Sequence, residues 1–285
     1  MVQQSEIPYV IGNKSFTAVA INTAAKAGEW IKSKLGEFNS LNRKSSHRDL
    51  VTEIDKGAEA MIRNLLHTYF PEHSFLGEES VGQESESFEK AIRGAMEAEY
   101  MWIVDPIDGT TNFVHGFPFY SVSIALAHKG EVIVGVVYDP SRDEIFVAEK
   151  GKGAYVGGQK MRVSAESKLT ESLIATGFPV SRQEAYDVNM KGIGALASRV
   201  RNIRTTGSAA LHMAYVAAGR LSGFWEVGLN PWDLAAGVLL VTESGGRVTD
   251  MNGEPYSLKL RNVLASNGAI HDEFQRVLED EGAVL

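Results

Sequence analysis

The hydrophobic period of this chain changes twice along its length, and that order restricts what it can fold into. Phe16, Ala20, Ala24, Ala27, Ile31 and Leu35 recur at helical spacing, which predicts an amphipathic helix. Ala58, Met61, Ile62, Leu65, Leu66 and Tyr69 share one face of a second helix, and Pro71 marks its end. The pattern then shifts to short β-type runs at 75–77, 100–104, 122–127, 132–138 and 145–148, with Lys129-Gly130 as a hairpin turn between two of them. The segment 81–99 is rich in Glu and Ser and reads as a mobile excursion, helical in part. After Gly158, strands at 173–176, 203–205, 223–226, 248–249 and 263–266 alternate with helices at 185–196, 208–218 and 231–243, and a terminal helix follows. Such alternation builds sheets covered by helices, a layered α/β arrangement with mixed α+β layers. No repeat or long linker interrupts it. The expectation is one unit, 1–285, made of two subdomains, about 1–155 and 156–285, that meet near residues 150–160.

Charge and residue usage exclude several functions. The net charge of -8 argues against general affinity for nucleic acid or an anionic membrane, since both attract basic surfaces. It does not argue against an anionic substrate, because a bound cation inverts the local sign of an acidic site. Without cysteine there is no disulfide, thiolate nucleophile or Cys-ligated zinc, which fits a reducing compartment. Met1 to Tyr9 is polar and acidic and lacks a basic-then-apolar signal pattern. No stretch reaches the roughly 20 apolar residues that span a bilayer. A cytoplasmic protein is expected.

Five carboxylates stand out by position. Glu78 and Glu79 follow the run 75–77, Asp105 and Asp108 follow the run 100–104 in DPIDGTTNF, and Asp233 opens a helix in PWDLAAG. All lie at strand ends or a helix start, where open α/β sheets put their ligand crevices. Gathered without cations they would repel one another and raise their own pKa values; hard divalent cations remove that conflict and take oxygen ligands. Pro106 bends the chain after Asp105, so Asp105 and Asp108 can approach one cation pair from two sides, with the Ile107 carbonyl as a further oxygen. Gly109 allows close backbone approach. Thr110-Thr111-Asn112 can open a helical turn whose free N–H groups suit a phosphate. Cations on one side and amides on the other would clamp a phosphoryl group. Taken singly, each fragment has a plainer explanation: a turn for Asp-Pro-Ile-Asp-Gly, solvated surface for Glu78-Glu79, and compensation of the helix dipole for Asp233. Their joint occurrence at element ends is what favours a site.

At these residues the chain resembles the inositol monophosphatase family. GEES (Gly77 to Ser80), WIVDPIDGTTNFVHGFPFYSVSIAL (Trp102 to Leu126) and PWDLAAG (Pro231 to Gly237) match its motifs in order and spacing. DLVTEID (Asp49 to Asp55) and EKGKGAYVGGQKMRVS (Glu149 to Ser164) also read like it, so the resemblance runs from about Ala24 to Asn267. It implies an αβαβα sandwich of the sugar phosphatase type and a lithium-sensitive phosphomonoesterase with two to three Mg²⁺ ions. Glu78, Asp105 and the Ile107 carbonyl would hold one ion, Asp105, Asp108 and Asp233 a second, and Glu78 would serve a weaker third. Glu79 is used less directly. Thr110 paired with Asp55, together with Glu78, would polarise the attacking water; Asp55 at a helix start also has the simpler dipole explanation. Lys44 falls at a position associated with the active-site loop.

On the substrate side the resemblance implies contacts from Asp108, Gly109, Thr110, Gly207, Ser208, Ala209, Glu226 and Asp233. A simple Ser cap at Ser208 and a surface acid at Glu226 are the competing explanations. Among the seven histidines there is no HExxH spacing, and His212 is expected to be a packed side chain. GxSxG is absent, and the GKG run at Gly151 to Gly153 suggests a hairpin turn. The Arg199, Arg201, Arg204 group suits a solvated face or a subunit contact. The reading is hydrolysis of myo-inositol monophosphate or a similar small sugar or cyclitol phosphate, with no nucleic-acid partner and a homodimer implied by the resemblance. Fructose 1,6-bisphosphate, histidinol phosphate, NADP or a 3′-phosphonucleotide are alternative substrates. An accessory protein of transcription that binds RNA polymerase is the alternative of a different class.

Overall fold

A computed structural model describes residues 10–11, 14–35, 41–43, 50–81, 85–178 and 183–284. In chain order its strands are β1 (Val10–Ile11), β2 (Lys14–Ser15), β3 (Leu41–Arg43), β4 (Leu50–Thr52), β5 (Ser74–Gly77), β6 (Tyr100–Asp108), β7 (Ser121–His128) and β8 (Glu131–Asp139). They continue as β9 (Glu144–Glu149), β10 (Gly153–Val156), β11 (Gln159–Lys160), β12 (Leu173–Thr176), β13 (Asn202–Arg204), β14 (Gly223–Val227), β15 (Arg247–Thr249) and β16 (Asn262–Ser266). The helices are α1 (Phe16–Ser33), α2 (Glu53–Tyr69), α3 (Ser85–Glu97), α4 (Thr110–Val114), α5 (Gln183–Leu196), α6 (Ala209–Ala217), α7 (Pro231–Glu243) and α8 (His271–Asp280).

Two sheets carry the fold. The larger has the order β11-β10-β9-β8-β7-β6-β5 and is antiparallel except for the parallel pair β5 and β6. The smaller has the order β13-β12-β14-β16-β15, with β13, β12 and β14 parallel. Alternation along the strands decides which helices each face receives. Trp102 and Val104 of β6 join Ala20, Ala24, Ile31, Ile62 and Leu66 of α1 and α2 in one core. Met101 and Ile103 face the other way, into a core shared with Leu211 and Met213 of α6, Leu234 and Val241 of α7, and Phe224 and Ala265 of the smaller sheet. Beyond that sheet, Trp225 and Leu264 pack against Val188 and Leu196 of α5 and Phe274 and Leu278 of α8. The layers therefore run helix, sheet, helix, sheet, helix, as expected from the αβαβα reading.

Most sequence-level elements recur within a few residues of their expected bounds, and Lys129 (φ 50°) and Gly130 (φ 79°) form the two-residue turn between β7 and β8. The GKG run lies in the turn between β9 and β10. The segment 81–99, read as an excursion helical in part, is chiefly the helix α3, which buries Ile92 and Ala95 against the shared core. Its acidic composition hid a narrow apolar stripe. The strand β10, implied by the hairpin turn expected at GKG, is followed by an edge strand β11 whose two residues carry too little pattern to read.

Candidate active site

The strand β6 does not stop at Val104. It continues to Asp108 with a bulge: Asp105 pairs with Ser123 and Asp108 with Ser121, so three steps on β6 match two on β7. The extra residue changes the parity of the strand. Asp105 has the parity of Met101 and Ile103 and faces the layer of α6 and α7. Without the bulge, Asp108 would face α1 and α2; with it, both acids face the same side. Pro106, which cannot donate to a ladder, sits in the bulge.

Around this point the chain gathers its acids. Asp108 is buried, and its carboxylate accepts the Ser208 hydroxyl at 2.5 Å and the N–H groups of Ala210 at 2.7 Å and Ala209 at 3.3 Å. Ser208 also caps α6, accepting from Leu211 N–H at 3.3 Å. The α6 donors expected to face substrate are thus directed at Asp108. Asp233 caps α7, where its Oδ2 accepts the Asn230 N–H at 2.7 Å. The dipole explanation for Asp233 is therefore right as far as it goes, and the same carboxylate also belongs to the cluster. Asp105 accepts the Ile107 N–H at 3.0 Å and lies beside Asp233.

The electrostatics show how close these groups lie. Burial pushes Asp105 well above the ordinary carboxylate range, and the charges of Glu78, Asp108, Asp233 and Asp55 push it further. Burial raises Asp108 to about 6, against the opposing effect of its hydrogen bonds from Ser208, Ala210 and Ala209. Asp233 rises to about 7 through burial and the charge of Asp108. Glu226, on β14, is buried rather than on the surface, and burial with the charges of Asp233 and Asp108 holds it well above the usual range. Gly177 makes room for it: a Cβ there would fall 2.1 Å from Glu226 Oε2.

Thr110, Asp55, Gly109 and Glu78 lie beside this cluster. Thr110 Oγ1 lies 3.1 Å from Asp55 Oδ1 and 3.1 Å from the Ile107 carbonyl, so its one proton has two acceptors. Gly109 adopts φ 97°, and a Cβ there would sit 3.0 Å from the Gly207 carbonyl, so the starts of α4 and α6 meet backbone to backbone. Glu78 opens the 3₁₀ turn Glu78–Ser80 after β5. Lys44 lies outside the described residues. His212 is packed as expected: its ring lies beside Phe119 and Phe224, Nε2 is 2.6 Å from Thr206 Oγ1, and burial lowers it to about 3. Arg199 pairs with Glu281 at the surface.

Sequence reasoning missed three supporting residues. Glu59 accepts the Glu79 N–H at 2.7 Å and binds Ser80 and Arg63, so α2 fixes the turn that carries Glu78. Its signal was an acid on the buried stripe of Asp55, Ile62 and Leu66. Asn112 donates to the carbonyls of Phe119 and Thr206, both at 2.6 Å, and ties α4 to the loop before α6. Arg261 holds the turn before α7. Nothing local in the sequence singled out the last two.

The donor set is oxygen-only, acidic, largely buried and mutually repelling, which fits hard divalent cations. Among the described residues, no three His, Asp or Glu side chains already stand as a ready ion cage. Asp108 is engaged by α6 and Asp233 by the Asn230 N–H, so those carboxylates would have to turn their free oxygens toward an ion.

Residues 13–283 match the model of the inositol monophosphatase family. The chain is 44% identical over 269 residues to inositol monophosphatase 2 of Solanum lycopersicum, covering 94% of this chain and 99% of that protein. It is 40% identical over 261 residues to the fructose-1,6-bisphosphatase/inositol-1-monophosphatase of Thermotoga maritima, covering 92% and 94%. It is 41% identical over 254 residues to the Nus factor SuhB of Pseudomonas aeruginosa, covering 87% and 90%. Among solved structures, the Thermotoga maritima IMPase superposes with a TM-score of 0.82 at 38% identity, covering 93% of this chain and 97% of that one. With its acids gathered on that scaffold, the chain belongs to the inositol monophosphatase family, whose members are phosphatases and are generally metal-dependent.

Proposed function

We propose that the protein is a Mg²⁺-dependent phosphomonoesterase that hydrolyses myo-inositol monophosphate, or a closely similar cyclitol or sugar phosphate, with water as the nucleophile. The observation that carries the reading is the shared burial of Asp105, Asp108, Asp233 and Glu226, from two distant parts of the sequence, close enough to raise one another's pKa values. Glu78, Asp105, the Ile107 carbonyl, Asp108 and Asp233 would hold two to three ions. Bound Mg²⁺ supplies charge neutralisation for the phosphate and a more acidic water. The Thr110 hydroxyl, held by Asp55, and the Glu78 carboxylate orient that water and take up its proton. The backbone of Gly109 and Thr110 binds the phosphate oxygens, and Glu226 accepts from a ring hydroxyl. Gly207, Ser208 and Ala209 complete the wall, with Ser208 and Ala209 acting through Asp108. The whole chain acts as one catalytic unit of two subdomains, about 1–155 and 156–285, in a cytoplasmic, lithium-sensitive homodimer.

Asp108→Asn keeps the shape of the side chain and removes its charge. Turnover should fall by about 10²–10³-fold, the scale on which one such electrostatic element acts, with the melting temperature retained; near-normal hydrolysis would sink the reading. Chelation should abolish activity, and Mg²⁺ should restore it. Assays of inositol 1-phosphate, fructose 1,6-bisphosphate and phosphoadenosine phosphate should give the highest kcat/KM for the first. The bisphosphatase name of the Thermotoga maritima relative makes fructose 1,6-bisphosphate the second reading. The name Nus factor on another relative means that the absence of a nucleic-acid partner rests on the acidic balance alone.

A further inference from the structure

Arg261 holds the turn that leads into α7 by both its backbone and its side chain. Its carbonyl accepts the N–H groups of Gly228 and Leu229, each at 2.8 Å. Its Nε donates to the Leu229 carbonyl at 2.9 Å and its Nη2 to Asn230 Oδ1 at 2.7 Å. Asn230 then donates its own N–H to Asp233 at 2.7 Å. Backbone and side chain of one residue thus hold the three residues before Pro231, and the last of them fixes a carboxylate of the site. The guanidinium itself is seated: it lies over the Phe88 ring of α3, 4.6 Å from the centroid, and Phe88 meets Trp232 edge-on at 6.1 Å. Trp232 precedes Asp233, and its carbonyl takes the Ser123 hydroxyl at 3.1 Å.

We infer that Arg261, seated on Phe88, is a positioning residue that orients Asp233 for a divalent cation and couples the docking of α3 to the ion site. The inference rests on the reading above, in which Asp233 is an ion ligand. A lysine cannot replace the arginine, because a single ammonium at the end of a flexible stem does not supply two fixed, diverging donors and a planar face for Phe88.

The test is Mn²⁺ binding to the substrate-free protein by electron paramagnetic resonance, beside the Mg²⁺ dependence of hydrolysis. The variants are Arg261→Gln, Arg261→Lys, Phe88→Leu and Asp233→Asn, each first checked by its melting curve. Both Arg261 variants should bind Mn²⁺ about tenfold more weakly, as losses of groups behind a metal ligand do. Their KM for substrate at saturating metal should change by less than about twofold, a split that general loosening of the fold would not give. Phe88→Leu should weaken binding about two- to fivefold, the size of one cation–π contact. Should Arg261→Gln unfold, Arg261→Lys decides alone, since it keeps the charge and most of the stem. Mn²⁺ affinity equal to that of the unaltered protein in the folded Arg261 variants, with Asp233→Asn impaired, overturns the positioning role only. Unimpaired Mn²⁺ binding and turnover in Asp233→Asn overturns the parent reading.

Discussion

Asp108 shows how much one residue here depends on its surroundings. It is 8% exposed and accepts three donors from the start of α6, yet burial still holds it at about 6, and Asp233 stands at about 7. Both values lie above the usual carboxylate range, so the folded chain binds more protons than the unfolded one in the window from about 4 to about 7. Stability from these groups must therefore fall as pH rises through that window. A divalent cation that binds only the folded, ionised cluster works in the opposite sense. With a chelator present, the melting temperature should fall between pH 5 and pH 8. Added Mg²⁺ should raise it more at pH 8 than at pH 5. Scanning calorimetry at both pH values checks this, and an equal Mg²⁺ shift at the two would refute it.

Among the elements, α7 has the most demanding position, because it lies between the sheets and carries Asp233 in its first turn. Gly135 lets it come close. On β8, Val134 and Val136 face α1 and α2, while a Cβ on Gly135 would sit 2.8 Å from the Ala236 carbonyl and 3.1 Å from its Cα. On α7 itself, Gly237 accommodates Met213 of α6, whose Cβ lies 2.6 Å from the added methyl position. Gly135→Ala should therefore push α7 off the sheet, costing about 1–3 kcal/mol as overpacking does. Because Asp233 rides on that helix, the Mg²⁺ concentration for half-maximal activity should rise as well. Urea unfolding and a metal titration test the two effects. A variant as stable as the parent would show that α7 does not bear on β8 in this way. The bulge in β6 belongs to the same scale: a single inserted residue turns Asp108 to the face that α6 and α7 occupy.

In the molecule as a whole, the middle helix layer shares one core with both sheets, so neither half has a complete core without the other. Unfolding followed by near-ultraviolet and far-ultraviolet circular dichroism should give coincident curves, and two separated transitions would mean that the halves fold independently. The sequence carried the layers, because each helix and strand buries one face and that periodicity is local. It carried the acids too, because DPIDGTTNF and PWDLAAG put them at element ends where a fold of this kind opens. It showed α3 only in part, where Glu and Ser masked a narrow stripe, and missed β11, too short to show a period. The roles of Asn112 and Arg261 were invisible for a deeper reason. Asn112 reaches the Thr206 carbonyl across 94 positions of sequence and Arg261 reaches Asn230 across 31. A residue's own neighbours fix its conformation and the face it presents. Which distant carbonyl or carboxylate that face meets is decided only when the layers close, since hydrogen bonds of this kind depend on tenths of an ångström that no local pattern encodes.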